Sequence, residues 1–529
     1  MTVRAATSTP RLSLCMIVRD EEDMLPEFLK HAQGLWDELI VIDTGSVDHS
    51  RDLLQAAGAT VYQQPWTEDF AIARNAALEH ATGDFILSLD ADEFISPKAK
   101  DQIRHVMELD EVGAATIIMR NHLPHGHYRD AHLLRLFRNS PEIRYRFPIH
   151  EEVESSLAPY LKRTKRRVVT LDGIVQHHGY TRERALERDK KQRDLAILSR
   201  CLSDDPRDLY SHYKRLELAR FWNDQQLLQQ AALDAENALP DVPREDLSAL
   251  SFAGELLCMI AQARYIDSAA LEFINRYAAA VPASAELHYF RGQLHEALGN
   301  VAAAKEEFEH CQGIASVRNL QMTGVRPLMG LCRLAMAQGE LSTALAHSQQ
   351  ALALAPRDPE ALLAMCKLKS IQNHAELDSF VQRHASDYPD AAELWHAYGE
   401  IMLDQRRAQA AVTAFEHAYE LDRESNTQLQ IAKALVQSGD YERARKILHP
   451  LRKQLPEAGI GVLVCELCTD QNTNLQLELN EEEADLHLRH WLVTALLSAN
   501  DQTLTNIARR VPTIEHVFPW LPEALGLAA

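Results

Sequence analysis

Two groups of carboxylates in the N-terminal part of the sequence stand where a nucleotide could bind. Asp43 opens the run Asp-Thr-Gly-Ser after one apolar segment, and Asp90 and Asp92 belong to the run Asp-Ala-Asp-Glu after another. A carboxylate at the first place can accept hydrogen bonds from a base or a ribose. The second pair offers hard oxygen ligands for a divalent cation that neutralises a diphosphate leaving group. Because a bare Asp-x-Asp is a weak motif, its weight depends on the elements that carry it.

Strand-like and helix-like segments alternate up to residue 89. The strand-like runs are Leu12–Val18, Glu38–Asp43, 59–62 and 85–89, and the helical segments between them are 22–32, 47–57 and 69–81. This alternation predicts a parallel sheet with helices on both faces, in which Pro65 stops the third strand. Ligands bind outside the carboxyl ends of such strands, and both carboxylate groups lie there.

A different pattern begins after about residue 204, where strand-like runs vanish and amphipathic helical segments follow one another. Glycines stand five residues before small residues in three places, which are Gly299 and Ala304, Gly339 and Ala344, and Gly439 and Ala444. This spacing resembles the tetratricopeptide repeat (TPR), which recurs about every 34 residues. Units start at Ala285, Val325, Pro359, Ala392 and Ser425, and Asp378 makes the Pro359 unit degenerate. Stacked units form a groove suited to an extended polypeptide.

Composition fits a water-soluble globular protein and argues against several partners. Of the 529 residues 46% are hydrophobic and 25% are charged, which is enough apolar material for more than one core. The formal net charge of −21 opposes a nucleic-acid partner. We expect a cytoplasmic protein without a transmembrane segment, because no apolar run approaches the roughly 18 residues that a span needs. The eight cysteines, including Cys465 and Cys468, are expected to be reduced core thiols.

Four motifs in order give the N-terminal part a specific resemblance. They are Cys-Met-Ile-Val-Arg-Asp-Glu-Glu at 15–22, Val-Ile-Asp-Thr-Gly-Ser-Val-Asp at 41–48, Ala-Arg-Asn at 73–75 and Leu-Asp-Ala-Asp-Glu at 89–93. Together they resemble the nucleotide-sugar glycosyltransferases of family 2, which have the α/β GT-A fold, a Rossmann-like and mostly parallel sheet. The resemblance extends through 134–138, 149–151 and 177–180 to about residue 200. It points to a bacterial subgroup that often carries C-terminal TPRs and includes peptide and protein glycosyltransferases, such as bacteriocin S-glycosyltransferases.

The resemblance implies a nucleotide-binding set at the ends of the first two strands. By position in the motifs, Val18, Arg19, Glu21 and Asp43 would hold the nucleoside, and Arg74 would lie near the nucleotide. Glu21 belongs to an acidic run at a predicted helix start, where the helix dipole favours carboxylates whatever the function.

The same resemblance implies a nucleotide-sugar and metal set around the fourth strand. Asp90 would face the ribose, Ala91 would lie beside the nucleotide sugar, and Asp92 would bind the metal. His177 matches a downstream histidine of the family that would be a further ligand, or it is a packed or hydrogen-bonded side chain. A carboxylate and a neutral imidazole are competent ligands for Mn²⁺ or Mg²⁺.

An inverting transfer needs a base that takes the acceptor proton, and Asp or Glu is the usual choice. Glu151 and Glu152 both follow an apolar run that could carry one carboxylate into a partly desolvated cleft and raise its pKa. Glu151 matches the family motif and is therefore favoured as the catalytic base, with Asp92 stabilising the departing diphosphate through the metal. A structural hydrogen-bonding role for His150 and Glu151 is the alternative.

The predicted organisation has four parts. Residues 1–203 would form the GT-A catalytic domain, 204–284 a helical linker with degenerate repeats, 285–458 the TPRs and 459–529 a helical cap. We expect a metal-dependent transfer from a UDP- or GDP-sugar to a peptide or protein held by the TPR groove. TPR arrays can also dimerise, so a homodimer is left open.

Two rival functions and two further sequence features stay open. The enzyme could instead modify a lipid-linked or cell-envelope saccharide while the TPRs recruit partners, or the chain could be a non-enzymatic TPR scaffold. The histidines at 122, 125 and 127 are expected in a flexible loop near the acceptor rather than at a metal. The basic run 162–167 is expected at a solvated hairpin tip, with anionic lipid or phosphate as the alternative ligand.

Overall fold

The computed structural model describes residues 9–122, 128–177, 190–314, 321–471, 481–497 and 499–525, without the side chains of 122, 128–130, 481 and 482. Contacts divide the chain into two compact units, Met1–Phe252 with Met259–Arg264, and Ala253–Cys258 with Tyr265–Ala529. The first unit therefore takes in helices beyond residue 203. The domain limits expected from the sequence stay a prediction.

A mixed sheet with flanking helices forms most of the first unit. Its strands are β1 Leu12–Val18, β2 Glu38–Asp43, β3 Thr60–Gln63, β4 Phe85–Ser88, β5 Glu93–Ile95, β6 Val112–His122, β7 Tyr128–Arg138 and β8 Arg167–His177. The helices among them are α1 Leu25–Ala32, α2 Ser50–Ala56, α3 Phe70–His80, α4 Pro97–Met107 and α5 Glu154–Thr164. After the sheet follow α6 Lys190–Asp204, α7 Leu209–Phe221, α8 Gln225–Ala238, α9 Arg244–Ala249 and α10 Ala253–Arg264.

The strand order is β3-β2-β1-β4-β7-β6-β8-β5. Strands β1 to β4 pair in parallel, and β8 runs parallel to β6. Strand β7 is antiparallel to β4 and β6, and β5 is antiparallel to β8. Strands β1, β2 and β4 are almost wholly buried because helices cover both faces of this part of the sheet. The predicted α/β class with a mostly parallel sheet is confirmed.

The basic run 162–167 does not form the expected hairpin tip. Lys162 and Arg163 lie in the last turn of α5, where cations are favoured by the helix dipole, and Arg167 begins β8. Lys165 makes the turn between them with a φ of 55°. Arg163 pairs with Glu142 at the surface.

Helices alone form the second unit in its described residues. They are α11 Asp267–Tyr277, α12 Ala285–Ala297, α13 Val301–Gly313, α14 Arg326–Ala337, α15 Leu341–Leu354, α16 Pro359–Gln372, α17 His374–Asp387, α18 Ala392–Asp404, α19 Ala408–Leu421, α20 Ser425–Ser438, α21 Tyr441–Leu451, α22 Pro456–Cys468, α23 Glu481–Leu496, α24 Asp501–Arg510 and α25 Leu521–Ala524. The three glycines of the repeat spacing, Gly299, Gly339 and Gly439, lie between helices and have φ of 73°, 76° and 81°. Glycine adopts this left-handed conformation without the strain that a Cβ atom causes.

Phenylalanine rings set the spacing between helices of the repeats. Phe415 of α19 is fully buried, and a Cβ atom added to Gly399 of α18 would lie 2.6 Å from its ring. Phe308 of α13 lies equally close to Gly292 and Gly330 of the helices on either side, where added Cβ atoms would be 2.5 and 2.6 Å from the ring. The small residues of the repeat are therefore required by a ring that occupies the space of a side chain.

All eight cysteines are free thiols as predicted, and all but the partly buried Cys201 are buried. Cys465 and Cys468 are buried in α22. Burial raises the pKa of Cys468 to about 12 and that of Cys465 further, so neither is a thiolate at neutral pH.

We predict that Gly399→Ala destabilises the repeats by about 1 to 3 kcal/mol, because the new methyl group must displace the buried Phe415 ring. The measurement is urea unfolding followed by far-UV circular dichroism. Gly459→Ala is the matched control, since that glycine is also helical and an added Cβ atom there meets nothing within 4 Å. Equal effects of the two substitutions would contradict this packing explanation.

Candidate active site

The loops after β1 and β2 are joined by hydrogen bonds that fix Asp43. Thr44 donates its backbone N–H and its hydroxyl to the carbonyl oxygen of Val18, at 3.0 and 3.2 Å. The Asp43 carboxylate is 2% exposed and accepts a hydrogen bond from the Ser46 N–H at 3.0 Å. Gly45 permits this tight turn with a φ of 115°. The first predicted carboxylate is therefore held rigidly at the end of its strand.

The acidic run after β1 holds the same two loops together. Asp20 donates its N–H to the Ser46 hydroxyl and accepts from the Val47 N–H, at 3.1 and 2.8 Å. Glu21 donates its N–H to the Ser50 hydroxyl at 2.8 Å. Arg19, by contrast, extends a largely exposed side chain. Of the residues predicted to hold the nucleoside, Val18 and Asp43 are buried, whereas Arg19 is open to solvent.

Arg74 of α3 is buried and reaches three polar groups. It donates Nη2–H to Asp90 at 3.0 Å, Nη1–H to the Ser88 hydroxyl at 3.2 Å and Nε–H to Glu151. The first turn of α3 is stabilised by Asp69, whose side chain accepts the N–H of Ile72. The structure therefore brings together three of the predicted residues, Arg74, Asp90 and Glu151.

The charge of Arg74 keeps Asp90 ionised. Burial alone would raise the pKa of Asp90, but the nearby guanidinium groups of Arg74 and Arg135 outweigh it and lower the pKa to about 2. Oδ2 of Asp90 takes the Arg74 bond, while the buried Oδ1 atom has no hydrogen-bond partner among the described residues. An ionised carboxylate with an unsatisfied buried oxygen can accept a cation or a ligand hydroxyl group.

Asp92 and His177 face each other beside Asp90. Nε2 of His177 lies 3.6 Å from the Asp92 carboxylate, and Nδ1 lies 2.7 Å from the side-chain oxygen of Asn121. Burial alone would lower the pKa of His177, but the Asp92 carboxylate raises it. If Nδ1 donates its proton to Asn121, the Nε2 lone pair points towards Asp92, as in histidines that bind metals. The two residues predicted as metal ligands thus lie together.

The donor chemistry suits a divalent cation at Asp92 and His177, whose ligand atoms lie 3.6 Å apart. The unsatisfied Oδ1 atom of Asp90 is the observation that favours a cation nearby. The motif histidine at 178 and the side chains of the histidines at 122, 125 and 127 fall outside the described residues.

A buried ion pair behind the Asp-x-Asp motif was not predicted. Glu93 is 1% exposed, pairs with Arg135 of β7 and accepts the N–H of Asp90 at 3.0 Å. Burial raises the pKa of Glu93, an effect that the Arg135 charge opposes. The available signal was a charged residue inside the apolar run Leu-Leu-Arg-Leu-Phe of β7. This pair sets the backbone position of Asp90.

The loop that carries Glu151 is held by helix α7. The Tyr210 hydroxyl donates to the carbonyl oxygen of His150 at 2.9 Å, and its ring stacks on Phe147 with centroids 3.6 Å apart. Phe147 and His150 both have positive φ, 71° and 52°, which costs energy in residues with a Cβ atom. Tyr210 lies beyond the predicted limit of the catalytic domain at 203, so no motif indicated it.

Glu152 has a different environment from Glu151. Its carboxylate accepts the N–H and the hydroxyl of Ser155 at the start of α5. The two candidate bases therefore differ in their contacts. Glu152 is engaged in a local turn, whereas Glu151 points towards Arg74 and Asp90.

Comparisons with known proteins support the division of the chain into an α/β part and a helical repeat part. Residues 13–163 match the family model of Glycosyl transferase family 2, and residues 285–317 and 402–459 match Tetratricopeptide repeat models. The chain therefore combines a family 2 glycosyltransferase domain with tetratricopeptide repeats, and the resemblance seen in its motifs is confirmed.

Individual relatives cover only part of the chain. A TPR repeat-containing protein of Synechococcus elongatus is 39% identical over 202 residues, which are 38% of this chain and 50% of that protein. The SPbeta prophage-derived glycosyltransferase SunS of Bacillus subtilis is 26% identical over 208 residues, covering 38% of this chain and 47% of SunS. The chain thus spans about half the length of these curated relatives.

Among solved structures, residues 1–349 of S. aureus TarS align at 16% identity over 57% of this chain and 92% of that one. The TM-score of 0.28 is too low to support a comparison of function. Among the described helices none is both long enough and apolar enough to cross a membrane.

We predict that Arg74→Met lowers the free energy of unfolding by about 3 kcal/mol at pH 7, because it removes the partner of the largely buried Glu151 carboxylate and of the partly buried Asp90 carboxylate. Asp90 has a folded-state pKa below its unfolded value of about 3.9, so its stabilising effect is complete above about pH 4 and is lost as the pH falls towards 2. The penalty should therefore shrink over that range. Urea unfolding at pH 7 and pH 3.5 measures it.

Arg163→Met is the control for that substitution, since it breaks the exposed pair with Glu142. Its effect should stay within about 0.5 kcal/mol at both pH values. A penalty for Arg74→Met that is equally small would show that the Arg74 pairs do not hold the site.

Proposed function

We propose that this protein is a metal-dependent inverting glycosyltransferase that transfers a sugar from a UDP- or GDP-sugar to a peptide or protein acceptor bound in the TPR groove. The observation that carries the proposal is the cluster at the carboxyl ends of the strands, in which Asp90, Asp92 and His177 lie beside Arg74 and Glu151. The match to family 2 defines the class, and the finer assignments are our inference.

The charges of this cluster favour a cation. The carboxylates of Asp90, Glu93 and Glu151 pair with the guanidinium groups of Arg74 and Arg135, and a fourth carboxylate, that of Asp92, pairs with His177. Each guanidinium is engaged by an ion pair. The Asp92 carboxylate lies 3.6 Å from the titratable His177, and the charge of Lys190 also acts on it. Carboxylates thus outnumber guanidinium groups in this cluster, and neither arginine pairs with Asp92, where Mn²⁺ or Mg²⁺ would bind. A cation held there supplies positive charge that stabilises the departing diphosphate.

Residues of this chain would perform the other parts of the reaction. Asp43 accepts hydrogen bonds from the nucleoside, while Val18, Arg19 and Glu21 line the neighbouring edge. Asp90 orients the ribose, with Ala91 next to it, because its carboxylate is fixed by Arg74 and by the Glu93 contact with its N–H. Rigid placement of these groups lowers the entropic cost of aligning the donor.

Glu151 is our candidate for the base that takes the acceptor proton. Its carboxylate is 12% exposed and lies against Arg74, beside the Asp90 group that would hold the donor. For the transfer, the acceptor hydroxyl or thiol attacks the anomeric carbon in line with the leaving diphosphate and loses its proton to Glu151. A thiol acceptor needs less help, since a few per cent is already thiolate near neutral pH.

The peptide acceptor is supported by architecture rather than by individual residues. TPR solenoids present an extended concave surface. SunS, which is 26% identical to this chain over 208 residues, is named a glycosyltransferase of a prophage. A groove that binds the acceptor away from the reacting side chain raises its local concentration at the transfer site.

We predict that Asp92→Ala abolishes the slow release of nucleoside diphosphate from a panel of UDP- and GDP-sugars with Mn²⁺ or Mg²⁺. The loss should be at least about 100-fold, because the charge that holds the cation is removed. Release from one donor by the wild type names the sugar and nucleotide without knowledge of the acceptor. If the wild type releases no nucleoside diphosphate from any donor of the panel, and no nucleotide raises its melting temperature, a non-enzymatic TPR scaffold is favoured instead.

Glu151→Gln should lower sugar transfer by about 100-fold to 10,000-fold while the KM for the donor changes less than about threefold. Glu152→Gln is the matched control, because the neighbouring carboxylate contacts Ser155 and not Arg74. Tyr210→Phe should give an intermediate loss, since the hydroxyl that anchors the His150 carbonyl disappears. Full activity of Glu151→Gln would rule out this base.

Truncation of the repeats distinguishes a peptide or protein acceptor from a lipid-linked saccharide acceptor. A chain that ends at residue 264 keeps the first compact unit, including Tyr210, whereas one that ends at 203 would lose it. We expect the 1–264 chain to release nucleoside diphosphate as the full chain does but to transfer sugar to peptides or proteins at least about tenfold more slowly. Unchanged transfer to a lipid-linked saccharide by the truncated chain would support the other acceptor class.

A further inference from the structure

Three side chains with metal-binding groups meet in the first helical pair of the repeats. His288 comes from α12, and Glu307 and His310 come from α13. One ligand atom from each residue lies within 4.8 Å of the other two. Glu307 and His310 are three residues apart and so project from the same face of their helix. Helix packing thus places two imidazoles and a carboxylate around one point.

The carboxylate of Glu307 is held in place from both sides. Its side chain is 9% exposed, and Nη2 of Arg291 lies 2.9 Å from Oε1. Oε2 is therefore directed to the other side, where Nδ1 of His288 lies 2.7 Å away. Burial alone would raise the pKa of Glu307, but the hydrogen bond from His288 and the charge of Arg291 lower it. Carboxylates that bind metals are commonly fixed by a second hydrogen bond in this way.

We propose that His288, Glu307 and His310 form a zinc site that links α12 to α13. Two imidazole nitrogens and one carboxylate oxygen are a recognised zinc ligand set, and water can complete the tetrahedron. Hard ions such as Mg²⁺ and Ca²⁺ prefer oxygen ligands, so this set differs in selectivity from the carboxylate-rich site of the first unit. Binding at a site shared by two helices stabilises their packing, because the unfolded chain lacks the assembled ligands.

The test uses the full chain, freed of metal by a chelator and carrying Asp92→Ala to remove a ligand of the candidate active site. Zinc chloride is titrated by isothermal calorimetry, and Co²⁺ is followed by its visible absorption in a tetrahedral site. We expect one zinc ion per chain at this site and a rise in melting temperature of about 2 °C or more at saturation.

His310→Ala identifies the site, since His310 is exposed and its removal should leave the metal-free melting temperature unchanged. The substitution should weaken zinc binding at least about 100-fold and remove the Co²⁺ absorption. His374→Ala, at another exposed histidine of the same unit, is the matched control and should bind zinc as before. His288→Ala gives a second, independent variant.

Two results would overturn the proposal. One is the absence of zinc binding by the chain with intact His288, Glu307 and His310, which would leave these contacts as an ordinary hydrogen bond between imidazole and carboxylate. The other is zinc affinity that survives both His288→Ala and His310→Ala unchanged, because the ion would then bind elsewhere.

Discussion

The guanidinium group of Arg74 is the contact on which the rest of the candidate active site depends. A buried cation is costly unless it is paired, so this arginine requires carboxylates around it. It receives them from Asp90 after β4 and from Glu151 in a loop 77 residues further along the chain than Arg74. The helix, the strand end and the loop therefore occupy fixed positions before any ligand binds.

A second buried ion pair also fixes the position of Asp90. Arg135 of β7 pairs with Glu93, and Glu93 accepts the N–H of Asp90. Since β7 lies beside β4 and runs antiparallel to it, the antiparallel half of the sheet supports the carboxylates that follow the parallel half. The mixed sheet is thus part of how the site is built, because a wholly parallel sheet would need another element to bring a cation to Glu93.

The sequence predicted the parallel half of the sheet because buried strands there are continuous apolar runs, and β1 and β2 have the predicted limits. Motif positions also placed Asp90, Asp92 and His177, which the fold brings together. Ion pairs between residues distant in sequence could not be predicted, since nothing in the residue types indicates that Arg74 contacts Glu151. The role of Tyr210 was hidden for the same reason, as its hydroxyl acts on a backbone carbonyl group.

The degenerate Pro359 unit shows how the repeats accommodate a departure from their sequence pattern. Asp378 stands in α17 where the repeat has a small residue, and its carboxylate accepts the Tyr398 hydroxyl at 3.0 Å. Next to this departure a cleft of about 350 Å³ opens among α15, α16 and α17, lined by Leu352, Met365 and Phe380 with Lys369 and Arg383. This departure from the repeat pattern is accommodated by a polar contact between neighbouring helices, whereas in the first unit buried ion pairs join distant segments of the chain.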